Sequence, residues 1–253
     1  MAGVRKPTQK RGWAFAACVG IVKPPLLAFT KRRWIDADKL PAQGGCIVVA
    51  NHISHLDPFT MAHFLYDNGR LVRFLAKAEV FDVPVGGRLV RHAGQIPVYR
   101  KSAGVSQAFR AAVQAAREGE CVVVYPEGTI TRDPDLWPMT GKSGAARIAL
   151  TAEVPVIPVA QWGVHEILAP YSTRLKLLPR HTVTVKAGDP VDLDDLRGRR
   201  ISPGSLRLAT DRIMDAVTAL LADIRQATPP QHRYDPREAA GGQTGDSEGR
   251  REP

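Results

Sequence analysis

Cysteine is scarce in this 253-residue chain, which has only Cys18, Cys46 and Cys121. Their odd number and wide spacing argue against a disulfide framework and match no zinc-binding pattern. Cys46 and Cys121 open apolar runs, so they read as reduced core thiols of a cytosolic protein. Long hydrophobic runs are missing too. The stretch from Trp13 to Val22 is too short to span a bilayer, and Lys23-Pro24-Pro25 interrupts it before Leu26 to Phe29 resumes it. No small-residue cleavage site follows, which argues against a secretory signal. Internal repeats and long interdomain linkers are absent. So is any serine or cysteine in a nucleophile-elbow context, which directs attention away from a covalent enzyme intermediate.

Acidic residues are absent from positions 1 to 35, while Arg5, Lys6, Lys10, Arg11, Lys23, Lys31, Arg32 and Arg33 are all there. These eight cations supply most of the formal net charge of +10. A basic apolar segment bracketed by Trp13 and Trp34 and bent at the double proline suits an amphipathic hairpin on an anionic membrane surface. A helix packed on the core with a solvated basic face is the alternative. The chain then divides into a membrane-associating segment over 1–35, a folded domain over 36–225 and a polar tail over 226–253. Proline, glycine and charge dominate that tail, and the composition predicts disorder.

Within the domain, β-rich runs at 46–50, 72–76, 96–99, 121–125, 156–160 and 182–186 alternate with helical patterns at about 58–67, 104–118 and 142–152. A last helix spans 205–225, with Leu206, Ile213, Val217, Leu220, Leu221 and Ile224 on one stripe. Several strands are apolar throughout, as in strands buried on both faces of a parallel sheet. The pattern predicts one α/β domain, a mostly parallel sheet flanked by helices.

His52 leaves the first of these strands, and Asp57 follows five residues later. An imidazole oriented by a carboxylate can take a proton from an alcohol, and the carboxylate then stabilises the imidazolium. On a continuous helix two such residues would sit about 140° apart, so the chain must turn between them. Asp57-Pro58 also has the form of a helix start, so Asp57 could serve only as a cap. Other strand ends add weight. Gly128 and Thr129 follow the strand at 121–125 with a tight-turn glycine and a hydroxyl suited to polyol or phosphate oxygens. Lys77 and Arg100 stand at two further strand ends, where parallel sheets gather ligands, and are candidate phosphate clamps.

In order, Asn51-His52-x-x-x-x-Asp57, Gly94-x-Ile96-Pro97-Val98-x-Arg100, Tyr125-Pro126-Glu127-Gly128-Thr129 and Val154-Pro155-Val156-Ile157-Pro158-Val159-Ala160 resemble the four blocks of the glycerolipid acyltransferase family. The bacterial 1-acyl-sn-glycerol-3-phosphate acyltransferases are the best match. The resemblance implies the glycerol-3-phosphate acyltransferase type of fold, and His52 as general base with Asp57 orienting it. It also implies Arg100, Glu127, Gly128 and Thr129 as acceptor-site residues, with Lys77 facing phosphate. Many members carry arginine directly after the Glu-Gly-Thr block, where this chain has Ile130; either the next cation, Arg132, takes up the acceptor phosphate through a shifted loop, or the acceptor is held differently. The stretch around Lys142 resembles the family's Lys-x-Gly helix start, where the helix terminus would favour an anion. A surface lysine at an ordinary helix start is the equal alternative.

The implied activity is transfer of a fatty acyl group from a thioester, acyl-coenzyme A or an acyl carrier protein, to the free hydroxyl of a lysophospholipid, 1-acyl-sn-glycerol-3-phosphate giving phosphatidic acid, with another lipid or glycolipid acceptor as the alternative. It needs no metal or other cofactor, and the site of work is the cytoplasmic face of the cell membrane, with the protein peripheral or monotopic. A metal-dependent hydrolase built on His52, His55 and Asp57 competes weakly, since His63 and His92 form no ligand-like pair. A non-catalytic basic module is the third possibility. No nucleic-acid motif accompanies the charge, so nucleic acid is not an expected partner.

Overall fold

The apolar runs form strands, and a seventh strand comes from the basic segment. In chain order the computed structural model has α1 (Trp13–Phe29), β1 (Thr30–Ile35), β2 (Cys46–Ala50), α2 (Asp57–Asp67), β3 (Val72–Lys77), α3 (Gly86–His92) and β4 (Ile96–Val98). There follow α4 (Ser102–Arg117), β5 (Cys121–Val124), α5 (Gly144–Ala152), β6 (Val156–Trp162), α6 (Val164–Ile167), β7 (His181–Ala187) and α7 (Pro203–Arg225). The structure describes residue 9 and residues 12–99 and 102–238.

The strands make one mixed sheet in the order β1-β7-β6-β2-β5-β3-β4. The five strands from β6 to β4 run parallel, β7 is antiparallel to β6, and β1 is parallel to β7. Every residue of β2 is buried, so this central strand is covered on both faces. Its alternate residues serve two cores. Val48 and Ala50 join Phe64 of α2 and Phe15 of α1 on one face, while Ile47 and Val49 join Ala112 of α4, Ile148 of α5 and Ile213 of α7 on the other. Ser202 and Ser205 form a reciprocal capping box at the start of α7, with Pro203 at its first position. The consequence for function lies at one sheet edge: the parallel strands all end there, and the chain leaving β2, β3, β4 and β5 collects there.

Two expectations need correction. The double proline does not bend a hairpin, because α1 runs unbroken through Pro24 and Pro25. Each proline frees the carbonyl four residues earlier, and Gly20 and Ile21 are exposed, so water can take up both. The buried side of the helix, Ala14 and Phe15, packs on the core. Thr30–Ile35 then enters the sheet beside His181–Lys186, so this part of the basic segment belongs to the domain. Nor is the tail structureless throughout. After α7 the chain returns along the domain, where the Tyr234 carbonyl accepts the Thr140 N–H at 3.0 Å and Arg233 pairs with Asp215. Arg5, Lys6, Lys10, Arg11 and residues 239–253 lie outside the described residues. Among the described residues, no helix is long and apolar enough to cross a membrane.

A buried carboxylate ties α1 to the domain. Asp67, at the end of α2, is 3% exposed and receives Lys23 at 2.7 Å, Arg32 at 2.7 Å, Trp34 Nε1 at 3.2 Å and His63 Nε2 at 3.3 Å. Burial alone would raise its pKa, but the hydrogen bonds from His63, Lys23 and Trp34 outweigh burial and hold it far below the ordinary range. Two cations counted above toward membrane attraction are therefore committed internally. Replacing Asp67 by Asn leaves them facing a neutral group. Asp67→Asn should lower unfolding free energy by about 2–4 kcal/mol, read from the urea midpoint. A loss below about 0.5 kcal/mol, the range of an ordinary surface change, would show that another contact holds α1.

Candidate functional site

The chain turns away from the sheet just after β2, and the cause is Asn51. Its side chain stands in for a backbone ladder partner, with Nδ2 donating to the Gln161 carbonyl at 3.0 Å and Oδ1 accepting the Gln161 N–H at 2.9 Å. Gln161 returns a bond from Nε2 to the Asn51 carbonyl at 3.2 Å and accepts one from Thr60 Oγ1 at 3.0 Å. Asn51, Gln161 and Thr60 are buried, so each of these bonds also spares a polar group from desolvation without a partner.

His52 comes next, and its backbone is held at both ends. Its N–H donates to Glu127 Oε1 at 2.9 Å, and its carbonyl accepts the Thr131 N–H at 2.7 Å. The required turn between His52 and Asp57 is present. Asp57 Oδ2 accepts three hydrogen bonds: from His52 Nδ1 at 2.7 Å, from Ile53 N at 2.5 Å and from Ser54 N at 2.8 Å. The carboxylate therefore folds back on the residues before α2 and does not cap that helix, which answers the cap alternative. Ser54 Oγ secures the turn by donating to the Leu168 carbonyl at 2.7 Å.

These contacts set the chemistry of the pair. With Nδ1 donating to a carboxylate, Nε2 carries the lone pair and is the nitrogen left for a substrate. Asp57 is fully buried, whereas His52 is 16% exposed, so the pair has a closed side and an open side. Burial pushes the Asp57 carboxyl above its ordinary range against the opposing pull of His52 and the two amides. The imidazole stacks on Tyr125, with ring centroids 4.5 Å apart and planes at 26°. His55 of the alternative metal reading is exposed. Among the described residues, no group of three or more His, Cys, Asp or Glu is placed to hold a metal ion.

Glu127 is 3% exposed, and its second oxygen accepts the Met139 N–H at 3.1 Å, so each of its oxygens serves a backbone amide. It clamps the His52 turn to the loop before α5. Burial, resisted by those two amides, lifts its pKa from 4.5 to about 8.

Gly128 has φ +70, and a Cβ there would lie 2.7 Å from Lys142 Nζ, so the lysine amine rests directly on this turn. The Lys142 N–H also donates to the Pro126 carbonyl at 2.8 Å. Lys142 precedes α5, whose first residue is Gly144. Thr129 is half-buried beside it, and Ile130 is buried, its carbonyl accepting the Tyr171 hydroxyl at 2.6 Å. Arg132 is exposed beyond the buried Ile130 and Thr131. Lys77 ends β3 in register with Val98 of β4, which puts it on the same sheet edge with its side chain exposed. Arg100 lies outside the described residues. The structure thus brings together His52, Asp57, Glu127, Gly128 and Lys142. Sequence reasoning passed over the ring of Tyr125 and the Asn51–Gln161 exchange; a glutamine inside the apolar run of β6 was the available signal for the latter.

A family model described as Acyltransferase matches residues 31–162. The human 1-acyl-sn-glycerol-3-phosphate acyltransferase beta is 30% identical over 164 residues, covering 64% of this chain and 56% of that protein. The 1-acyl-sn-glycerol-3-phosphate acyltransferase of Bacillus subtilis is 27% identical over 128 residues, covering 51% and 61%. This chain spans 33% to 61% of the length of the curated relatives it matches. The fold is shared with the crystal structure of the 1-acyl-sn-glycerophosphate acyltransferase PlsC from Thermotoga maritima, at a TM-score of 0.63 and 23% identity over 83% of this chain and 80% of that one.

The buried clamp has a measurable pH signature. Glu127 keeps its proton to about 8 when folded, against 4.5 ordinarily, so the folded state binds the extra proton between those values. Stability contributed relative to a neutral side chain therefore falls as pH rises through that window. Urea unfolding at roughly pH 5 and about pH 8 should show the wild type losing ground to Glu127→Gln as pH rises. A pH-independent difference would show that Glu127 titrates at its ordinary value.

Proposed function

This chain belongs to the acyltransferase family, and we propose that it transfers a fatty acyl group from a thioester to the free hydroxyl of a lysophospholipid, with 1-acyl-sn-glycerol-3-phosphate as acceptor and phosphatidic acid as product. The observation that carries this reading is the 2.7 Å bond from His52 Nδ1 to the buried Asp57 carboxylate, which leaves Nε2 on the open side. Nε2 removes the acceptor's hydroxyl proton as its oxygen attacks the thioester carbonyl. The imidazolium formed is held by Asp57, the tetrahedral intermediate collapses by breaking the C–S bond, and the proton passes to the departing thiolate. Acyl-coenzyme A and acyl carrier protein thioesters both satisfy this chemistry.

The acceptor named by the relatives carries a phosphate, and the sheet edge offers cations for it. Lys142 Nζ over Gly128 is the best placed, and Arg132 and Lys77 are exposed on the same edge. With Ile130 buried, Lys142 takes the role that the missing arginine would otherwise fill. Glu127 contributes to this acceptor turn only through the backbone it holds.

The test is mass spectrometry of the products formed from acyl-coenzyme A and a panel of lysophospholipids. Phosphatidic acid should accumulate from the phosphate-bearing acceptor. His52→Ala should lower turnover by about 10²–10⁴ with the fold retained by circular dichroism, and Asp57→Asn should impair it by releasing the tautomer. Near-normal turnover in both variants would refute the general-base reading.

The lipid acceptor also gives a purpose to α1. Trp13, Ala16, Gly20, Ile21, Pro24 and Leu27 form an exposed apolar stripe along it, with Trp13 at 70% and Ile21 at 64% exposure. Lys31 and Arg33 are exposed just beyond it. We read this face as resting at the headgroup level of an anionic membrane, where the carbonyls of Gly20 and Ile21 still meet water, at its cytoplasmic side, with the protein peripheral or monotopic. Ile21→Glu should reduce co-sedimentation with anionic vesicles about tenfold, since it removes a buried aliphatic side chain and adds a repelled charge. Unchanged sedimentation would assign membrane contact to another face.

A further inference from the structure

The wall behind the catalytic imidazole is aromatic. Tyr125 follows β5, the strand paired in parallel with β2, so it stands beside His52 at the same sheet edge. Its ring lies 4.5 Å from the imidazole at 26°, near enough to parallel for the π face to meet the imidazole. Phe74 of β3 lies parallel to it, with ring centroids 6.5 Å apart and planes only 2° off, so a second ring joins the wall. Its hydroxyl is buried beside the side chain of Gln161. Burial and the nearby Asp57 charge push the phenol well above its ordinary range, so this is a neutral ring throughout the working pH.

We propose that Tyr125 is a positioning residue for His52, its π face fixing the plane of the imidazole and stabilising the imidazolium formed during transfer. The physical basis is the attraction between a cation and the negative face of an aromatic ring, which strengthens when water is excluded. Neutral imidazole gains less from that face than imidazolium does. The ring therefore helps more after proton transfer than before it, which is the condition for lowering the barrier. Asp57 anchors the edge of the imidazole at Nδ1, and Tyr125 anchors its flat side; together they aim Nε2 outward. The titratable groups facing His52 are Asp57 from α2 and, from the end of β5 and the turn after it, Tyr125 and Glu127; Phe74 of β3 brings no charge.

This inference rests on His52 being the general base, and the test separates the two. The pH dependence of kcat/KM would be measured for wild type, His52→Ala, Tyr125→Phe, Tyr125→Leu and the protein with pentafluorophenylalanine in place of Tyr125. The fluorinated ring keeps the shape and reverses the quadrupole, so it remains informative even where leucine impairs folding. Tyr125→Phe keeps the π face, and its acid limb should stay at the wild-type pH. The fluorinated and leucine proteins should show a threefold to tenfold loss in kcat/KM, with the acid limb displaced about half a unit toward lower pH. That displacement is what a merely structural wall would not produce. Acid limbs that coincide with that of Tyr125→Phe would overturn the inference while leaving the base reading intact. A His52→Ala protein with normal turnover would overturn the base reading itself.

Discussion

One oxygen atom, Asp57 Oδ2, organises the site. It accepts from the imidazole of His52 and from the amides of Ile53 and Ser54, and so closes five residues of chain into a turn. Without that turn, residues five apart would diverge, and no proton relay could form. The bond does two tasks at once: it fixes the backbone path out of β2 and the tautomer of the ring at its end. Asp57 can do this because α2 begins there and buries the carboxylate between the helix and the sheet. The surrounding contacts protect the same turn, with Glu127 and Thr131 on the backbone of His52 and Ser54 reaching Leu168.

That turn is useful only because of where the sheet puts it. Parallel pairing of β2 with β5 and of β5 with β3 brings His52, Tyr125 and Lys77 to a common edge, and β6 supplies the Gln161 that locks Asn51. The same edge carries Gly128, whose left-handed conformation leaves space for the Lys142 amine. An acid–base pair, an aromatic wall and a cation thus come together, the first two at strand ends and the cation from the loop before α5. α1 and β1 are joined to α2 through Asp67, so the helix read as a membrane contact is mechanically continuous with the helix that starts at Asp57.

Much of this was legible in the residues. Apolar runs such as Cys46-Ile47-Val48-Val49-Ala50 marked strands because a strand covered on both faces has no polar side to show. The pair His52 and Asp57 was legible from its order with the other three blocks, since its spacing alone also fits a helix cap at Asp57. β1 was not, since Thr30-Lys31-Arg32-Arg33-Trp34-Ile35 is an edge strand with exposed cations and resembles a solvated basic patch. Pro24-Pro25 misled for a related reason: solvent at Gly20 and Ile21 can take up the freed carbonyls, and exposure at positions 20 and 21 depends on tertiary packing. The clamp at Glu127 was not legible, because its two partners are backbone amides, at His52 and Met139, which no sequence pattern displays. The return of the tail at Tyr234 rests likewise on a backbone contact.

The central claim is that Asp57 holds His52 with the proton on Nδ1 and the lone pair on Nε2. Nitrogen-15 NMR of the histidine side chains, with assignment of His52 by comparison with His52→Ala, reads this directly. At a pH where the ring is neutral, Nδ1 should give the shift of a protonated nitrogen and Nε2 that of an unprotonated one, and Asp57→Asn should collapse this difference toward a tautomer mixture. A neutral His52 with its proton on Nε2 in the wild type, or a tautomer indifferent to Asp57→Asn, would contradict the account.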